Sequence, residues 1–183
     1  MAMPFSPEPA LGAYMKRMNV RVAANDVFRS NEVRCTAQIA NSGYSLTSED
    51  IDVILEDVYV PGYRLENPSL TNWFSETDAW WFDNIRRNID RLHMPVARAI
   101  ASKLAIDVGR YVLSFTEETR KLRQPLSVAF RRLWSVEPNA GSSVVPTLVT
   151  STTAEDMIFD GRVIEQYSDL LFLRLPEPHV GTV

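Results

Sequence analysis

The chain has 183 residues, 45% of them hydrophobic, which is enough to bury a core and excludes a disordered protein. A net charge of -4 excludes a generally basic nucleic-acid binder, and a single cysteine, Cys35, excludes a disulfide framework or a cysteine-based zinc site. The N-terminus lacks the pattern of a secretory leader, and no apolar run nears the roughly 20 residues of a membrane span. A cytoplasmic protein without membrane contact is expected.

In chain order, Pro4 to Pro9 predicts a turn-rich start and Ala10 to Met18 two helical turns. Asn19 to Ala24 reads NVRVAA, an alternating strand closed by Asn25 and Asp26. Phe28 to Asn41 predicts a helix with Val33, Ala37 and Ala40 on one stripe, Ile39 close by, and Cys35 as a buried thiol. Thr47 to Val58 predicts a second helix, with Thr47 or Ser48 as N-cap and an acidic first turn. A loop over Pro61 to Ser75 follows. Helices are predicted over Glu76 to Leu92, Pro95 to Phe115 and Leu126 to Trp134, and a loop over Pro138 to Ser143. Val144 to Val149 predicts a short strand interrupted by Pro146, and Thr153 to Phe159 a small helix or turn. Ser168 to Leu175 reads SDLLFLRL, an apolar run expected to be a parallel strand buried on both faces. Alternating strands and helices of this kind predict an α/β fold with a mostly parallel sheet. The expected organisation is one domain, 1–183, with a helical insertion over 76–136.

Charge is unevenly spread. Arg86 to Arg132 holds eleven Lys/Arg against four Asp/Glu, about +7, which leaves about -11 elsewhere. Arg86, Arg87, Arg91, Arg120, Lys121, Arg123, Arg131 and Arg132 are the candidates for an anionic partner, nucleic acid or protein. A solvated helical face is the alternative.

The stretch ALGAYMKRMNVRVAANDVFRSNEVRCTAQIAN, the segment WFSETDAWWFDNIRRNID, and TTAEDMI followed by SDLLFLRLPEPH together resemble adenine-specific DNA methyltransferases. The likeness runs from about Phe5 to His179 and lies in order and spacing, since no single motif is intact. It implies a partial Rossmann-like methyltransferase sheet with a helical insertion, in a degenerate and C-terminally truncated member.

The family's glycine turn, Phe-x-Gly-x-Gly, lets the backbone approach S-adenosylmethionine. The matching residues are Phe5-Ser6-Pro7-Glu8-Pro9, with proline at both glycine positions. Proline offers no N–H, and Glu8 adds a negative charge beside a carboxylate-bearing cofactor. The strand before this turn is expected to be a stub. Asp26 stands where an acid binds the cofactor ribose, or where an Asp caps the next helix. Thr153, in Ser151-Thr152-Thr153-Ala154, replaces the acid that binds the adenine amino group. The catalytic Asp/Asn-Pro-Pro-Tyr/Phe is matched by Arg174-Leu175-Pro176-Glu177. Arg174 only donates hydrogen bonds, and Glu177 has no face to stack on a flipped base.

The resemblance therefore implies a pseudoenzyme: no catalytic residues and no bound S-adenosylmethionine; no metal site is expected. It would act as a non-catalytic subunit or scaffold for a protein partner, an active methyltransferase or a second copy, with DNA as a further candidate. One half of a split adenine methyltransferase is the second reading, and a DNA-binding regulator the third. His93 and His179 have no second ligand at metal spacing. Ser75 to Asp78 predicts a helix cap rather than a carboxylate dyad. Trp73, Trp80, Trp81 and Trp134 are expected as core or interface anchors.

Overall fold

Residues 1–137, 145–167 and 169–173 are described by a computed structural model, and they contain eight α-helices and three β-strands. They divide into two compact units, one of residues 1–43 with those from 145 onward, the other of residues 44–137. No helix among them is long and apolar enough to cross a membrane.

The first unit is α/β. Its sheet is parallel, in the order β1 (Ala2–Met3), β2 (Val22–Asn25), β3 (Thr147–Thr150), with Ala2 opposite Ala23 and Ala23 opposite Leu148. Beyond β1, Leu171 bridges Ala2 in the same direction. The Ala2 N–H donates to Leu170 O at 2.7 Å, and the Phe172 N–H donates to Ala2 O at 2.9 Å. The spatial order is thus 170–172, β1, β2, β3.

Alternation along the strands gives the sheet two buried faces. Met3, Val22 and Ala24 pack with Cys35 and Ile39, beside α1 (Ala10–Arg17) and α2 (Arg29–Cys35). Ala2 and Ala23 pack with Met157, Val163 and Tyr167, from α7 (Ala154–Phe159) and α8 (Gly161–Tyr167). α1 packs close on the first of these faces: a Cβ on Gly12 would stand 2.5 Å from Ile39 Cδ1.

Several boundaries differ from expectation for local reasons. β2 starts at Val22 because Asn19, at φ 61°, ends α1 in the left-handed conformation. β3 starts directly after Pro146, which cannot donate to a ladder. The helix begun by α2 continues as a π-helix, Thr36–Ala40. Its wider turn replaces the Val33, Ala37, Ala40 stripe with a buried set of Cys35, Ala37 and Ile39. Lys16, 1% exposed, donates its ammonium to the carbonyls of Ile39 and Asn41 at that helix end. Helix α8 has no counterpart in the sequence reading.

The largest correction concerns SDLLFLRL. Its described residues Leu170, Leu171, Phe172 and Leu173 are 50, 47, 37 and 54% exposed, so they do not form a strand buried on both faces. The neighbouring β1 is only two residues long, so the ladder beside it ends after Phe172. Residues 168 and 174–183 lie outside the described residues.

The second unit is helical: α3 (Ser48–Ile54), α4 (Glu76–Asp90), α5 (Pro95–Leu113) and α6 (Leu126–Ser135). Thr47 and Asp50 form a reciprocal capping box on α3, Ser75 caps α4, and Pro95 opens α5. This unit starts ahead of the expected Glu76 and takes in α3, which packs on α4. Trp81 is fully buried, edge-on to Phe130 at 6.3 Å, and its indole N–H donates to Ser127 Oγ at 3.0 Å. The loop before α4 is tied to it. Asn84 Nδ2 donates to the carbonyls of Val58 and Val60, and Asp83 accepts the N–H groups of Glu66 and Asn67. Trp80 is buried and Trp134 donates to Leu46 O at 3.1 Å, but Trp73 is 73% exposed and anchors no core.

Candidate functional site

In a parallel sheet the loops at the carboxyl ends of the strands share one edge. In the first unit that edge gathers Phe5 to Pro9 after β1, Asp26 after β2, and Thr153 after β3. Three of the positions matched to a cofactor site are thereby brought to one end of one sheet.

Asn25, 1% exposed, ties the three loops together. Its Nδ2 donates to Pro4 O at 3.1 Å and to Thr152 O at 3.0 Å. Its Oδ1 accepts from the Thr150 hydroxyl at 2.8 Å and from the Thr152 N–H at 3.0 Å. Every donor and acceptor of the amide is satisfied. The sequence marked Asn25 only as a strand end. Its partners 21 and 127 residues away leave no local signal.

The loop after β1 is closed by Arg34, 8% exposed, on α2. Its Nη1 donates to Pro7 O at 3.1 Å and to Glu8 Oε1 at 2.9 Å, and its Nη2 donates to Glu8 Oε2 at 2.9 Å. The Ser6 hydroxyl donates to Met3 O at 3.1 Å, inside the turn. The Glu8 charge is therefore held by a partner in the same chain. Sequence reading missed Arg34, since nothing in its neighbours points to Glu8.

Asp26 accepts the Phe28 N–H at 3.0 Å in an Asx turn just before α2, whose N-cap, Phe28, has no side-chain cap bond, so Asp26 turns the chain without capping the helix. Val27 and Phe28 beside it are 58% and 67% exposed. Thr153 caps α7, its hydroxyl accepting the Asp156 N–H at 3.0 Å. Cys35 lies behind the β1 loop, donating to Ser6 O at 3.5 Å. Burial, and then the nearby Asp26 carboxylate, pushes its thiol up to about 12. Such a thiol stays protonated and is a poor nucleophile. Arg174, Leu175, Pro176 and Glu177 lie outside the described residues.

In the helical unit, five of the eight candidate cations hold carboxylates. Arg123 grips Asp78 at 2.8 Å, with Arg120 at 3.8 Å. Arg87 pairs with Glu66 at 3.7 Å, Arg131 with Asp52 at 3.2 Å, and Arg91 with Glu56. Arg86, Lys121 and Arg132 are exposed. Among the described residues no group of three or more His, Cys, Asp or Glu could hold a metal ion.

Against this geometry, comparison with protein-family models, curated proteins and solved structures gives no match.

Proposed function

We propose that the chain is a methyltransferase-like pseudoenzyme of the adenine-specific DNA methyltransferase type, acting as a non-catalytic subunit or scaffold for a protein partner. The observation that carries this reading is the parallel order 170–172, β1, β2, β3. Numbered by sequence it is 4-1-2-3, the central order of a Rossmann-like sheet. The helices after β1 and β2 lie on one face and α7 and α8 on the other, as that winding requires.

Ligands of such sheets sit where the chain reverses direction, here between β1 and 170–172. The loop leaving β1 at that point is Pro7-Glu8-Pro9. Two of its positions offer no N–H, and Glu8 is locked in place by Arg34. S-adenosylmethionine would bring its own carboxylate to that turn and find no donor from either proline. The Thr153 hydroxyl is already engaged in its cap. These features support a kept fold with lost cofactor chemistry.

The partner is a protein, an active methyltransferase or a second copy, and the exposed Leu170 to Leu173 supports that choice. DNA binding through the basic helices is the weaker reading, because most of their arginines are already paired. One half of a split methyltransferase is the rival. Asp26 beside exposed Val27 and Phe28 favours it, since an acid and apolar side chains suit a nucleoside.

Calorimetry with S-adenosylmethionine and labelled methyl transfer to unmethylated DNA test the reading. No binding near or below about 10 μM, roughly -7 kcal/mol, and no transfer by the chain alone are expected. Binding in that range, or transfer above an Arg174→Ala control, overturns it. Mass spectrometry of the native complex separates the rival. A partner with its own Phe-x-Gly-x-Gly and Asp-Pro-Pro-Tyr supports the scaffold. A partner lacking both but supplying later strands supports the split enzyme.

A further inference from the structure

The helical unit contains a cleft of about 360 Å³ between residues 71–75 and 112–123, near the lower end of the range for small-molecule sites. Three aromatic side chains line it. Phe74 is braced by Phe82, ring to ring at 4.4 Å, and Phe115 by Tyr111 at 4.9 Å. Trp73 has no such brace among the described rings and stands 73% exposed at the opening. A large flat side chain left in water beside two fixed rings is a stacking surface without an occupant.

The charges in the cleft are unequally engaged. The Asp78 side chain is 4% exposed, and both its oxygens are taken by Arg123, at 2.8 and 2.9 Å. The Ser75 hydroxyl donates to it at 2.7 Å. That carboxylate is satisfied. Arg120 stands 3.8 Å from it with its side chain 52% exposed, too far for a hydrogen bond and open to solvent. Glu117, also lining the cleft, is exposed, and a solvent-exposed carboxylate is a weak competitor for that guanidinium. A stacking surface and a guanidinium that is only loosely paired, at 3.8 Å from an already satisfied carboxylate, are together what a planar anion requires.

We propose that this cleft binds a small ligand joining a flat ring to an anionic group, with the ring on Trp73 and the anion on Arg120. Nucleoside monophosphates and aromatic carboxylates share that chemistry. The proposal stands apart from the methyltransferase-like reading, which rests on the other unit.

Two probes distinguish the sources: adenosine 5′-monophosphate and indole-3-acetate, each titrated calorimetrically into the full chain. At least one is expected to bind with a Kd below about 1 mM. Trp73→Ala and Arg120→Gln should each weaken it about tenfold. Trp73→Phe, which keeps a ring, should retain most of the affinity, and Arg132→Gln should change nothing. Both target residues are exposed, and circular dichroism checks that the variants fold. Binding of the nucleotide alone identifies the phosphate source, and binding of indole-3-acetate alone the carboxylate source. No binding of either probe below about 10 mM overturns the proposal. Binding that survives both Trp73→Ala and Arg120→Gln overturns it equally.

Discussion

Glu8 and Arg34 form a two-bonded ion pair across the turn after β1, each N–H···O distance being 2.9 Å. The pair is lopsided. The Arg34 side chain is 10% exposed and that of Glu8 53%. Solvent therefore screens the acid but not the base, and the pair is worth less than a fully buried one. A double-mutant cycle of Glu8→Ala and Arg34→Ala in urea unfolding should give a coupling energy of about 1–2 kcal/mol. A coupling indistinguishable from zero would show that the turn holds its shape without the clasp.

Asn25 carries a larger share of the stability of that edge. Asn25→Ala leaves the carbonyls of Pro4 and Thr152 and the N–H of Thr152 without their partner, at a cost of about 2–4 kcal/mol. Asn25→Asp is the sharper test. An ionised carboxylate would face two carbonyl oxygens, so its folded pKa must rise above the unfolded value of about 3.9. A raised acid adds most at low pH and loses that contribution as pH climbs through its folded value. The variant should thus fall further behind the parent between about pH 4 and 7. Unfolding midpoints that differ by a constant amount over that range would refute the assigned bonds.

How far these features can be read from the chain depends on their range. Thr47 with Asp50, Ser75 with Asp78, Pro95 as the first residue of α5 and Pro125 just before α6 are local signals, and the helices begin where they predict. The α/β alternation is legible too, and so is the shortness of β1. Asn25 and Arg34 are not. Each closes contacts across 21 or more residues, and neither the NVRVAA alternation nor the α2 stripe carries a trace of them. The π-helix is equally silent, since it replaces one buried stripe by another of similar hydrophobicity. SDLLFLRL misleads for a different reason. An apolar run reports that burial would be favourable, not which element supplies it.

Cys35 makes alkaline stability informative. Its thiol is pushed from 9.0 up to about 12, first by burial and then by Asp26. The folded state holds that proton where the unfolded state releases it. Stability is fully present below about pH 9 and falls above it by about 1.4 kcal/mol per pH unit from this group. Lys16, lowered by burial, acts in the opposite sense, and Tyr44, raised to about 12, in the same sense. The comparison of parent with Cys35→Ala removes both. The stability difference between them should shrink steadily from pH 9 to 11. Native protein at pH 8 should also resist a thiol reagent that labels the unfolded chain at once. Fast labelling without unfolding would contradict the buried position.

Leu170 to Leu173 is the surface on which a protein partner is expected. The segment pairs with β1 through Ala2 on one side, and its four large apolar side chains are each more than a third exposed. Contiguous apolar side chains beside a strand edge that is unpaired among the described residues favour a covering partner, by added strand pairing and by burial. A charge in the middle of the run should oppose both effects. Leu171 is 47% exposed, so Leu171→Asp has room for a hydrated carboxylate and should leave the fold intact. Light scattering of the parent is expected to show self-association with rising concentration, or else a larger complex when purified natively. In either case Leu171→Asp should shift the equilibrium toward free chain by about tenfold or more, with an unchanged circular dichroism spectrum. Leu113→Asp, at a site 55% exposed in the helical unit, is the control and should leave association unchanged. A parent that is monomeric at every concentration and purifies alone, with a Leu171→Asp variant equally soluble and stable, would remove this segment as an interface and the scaffold reading with it.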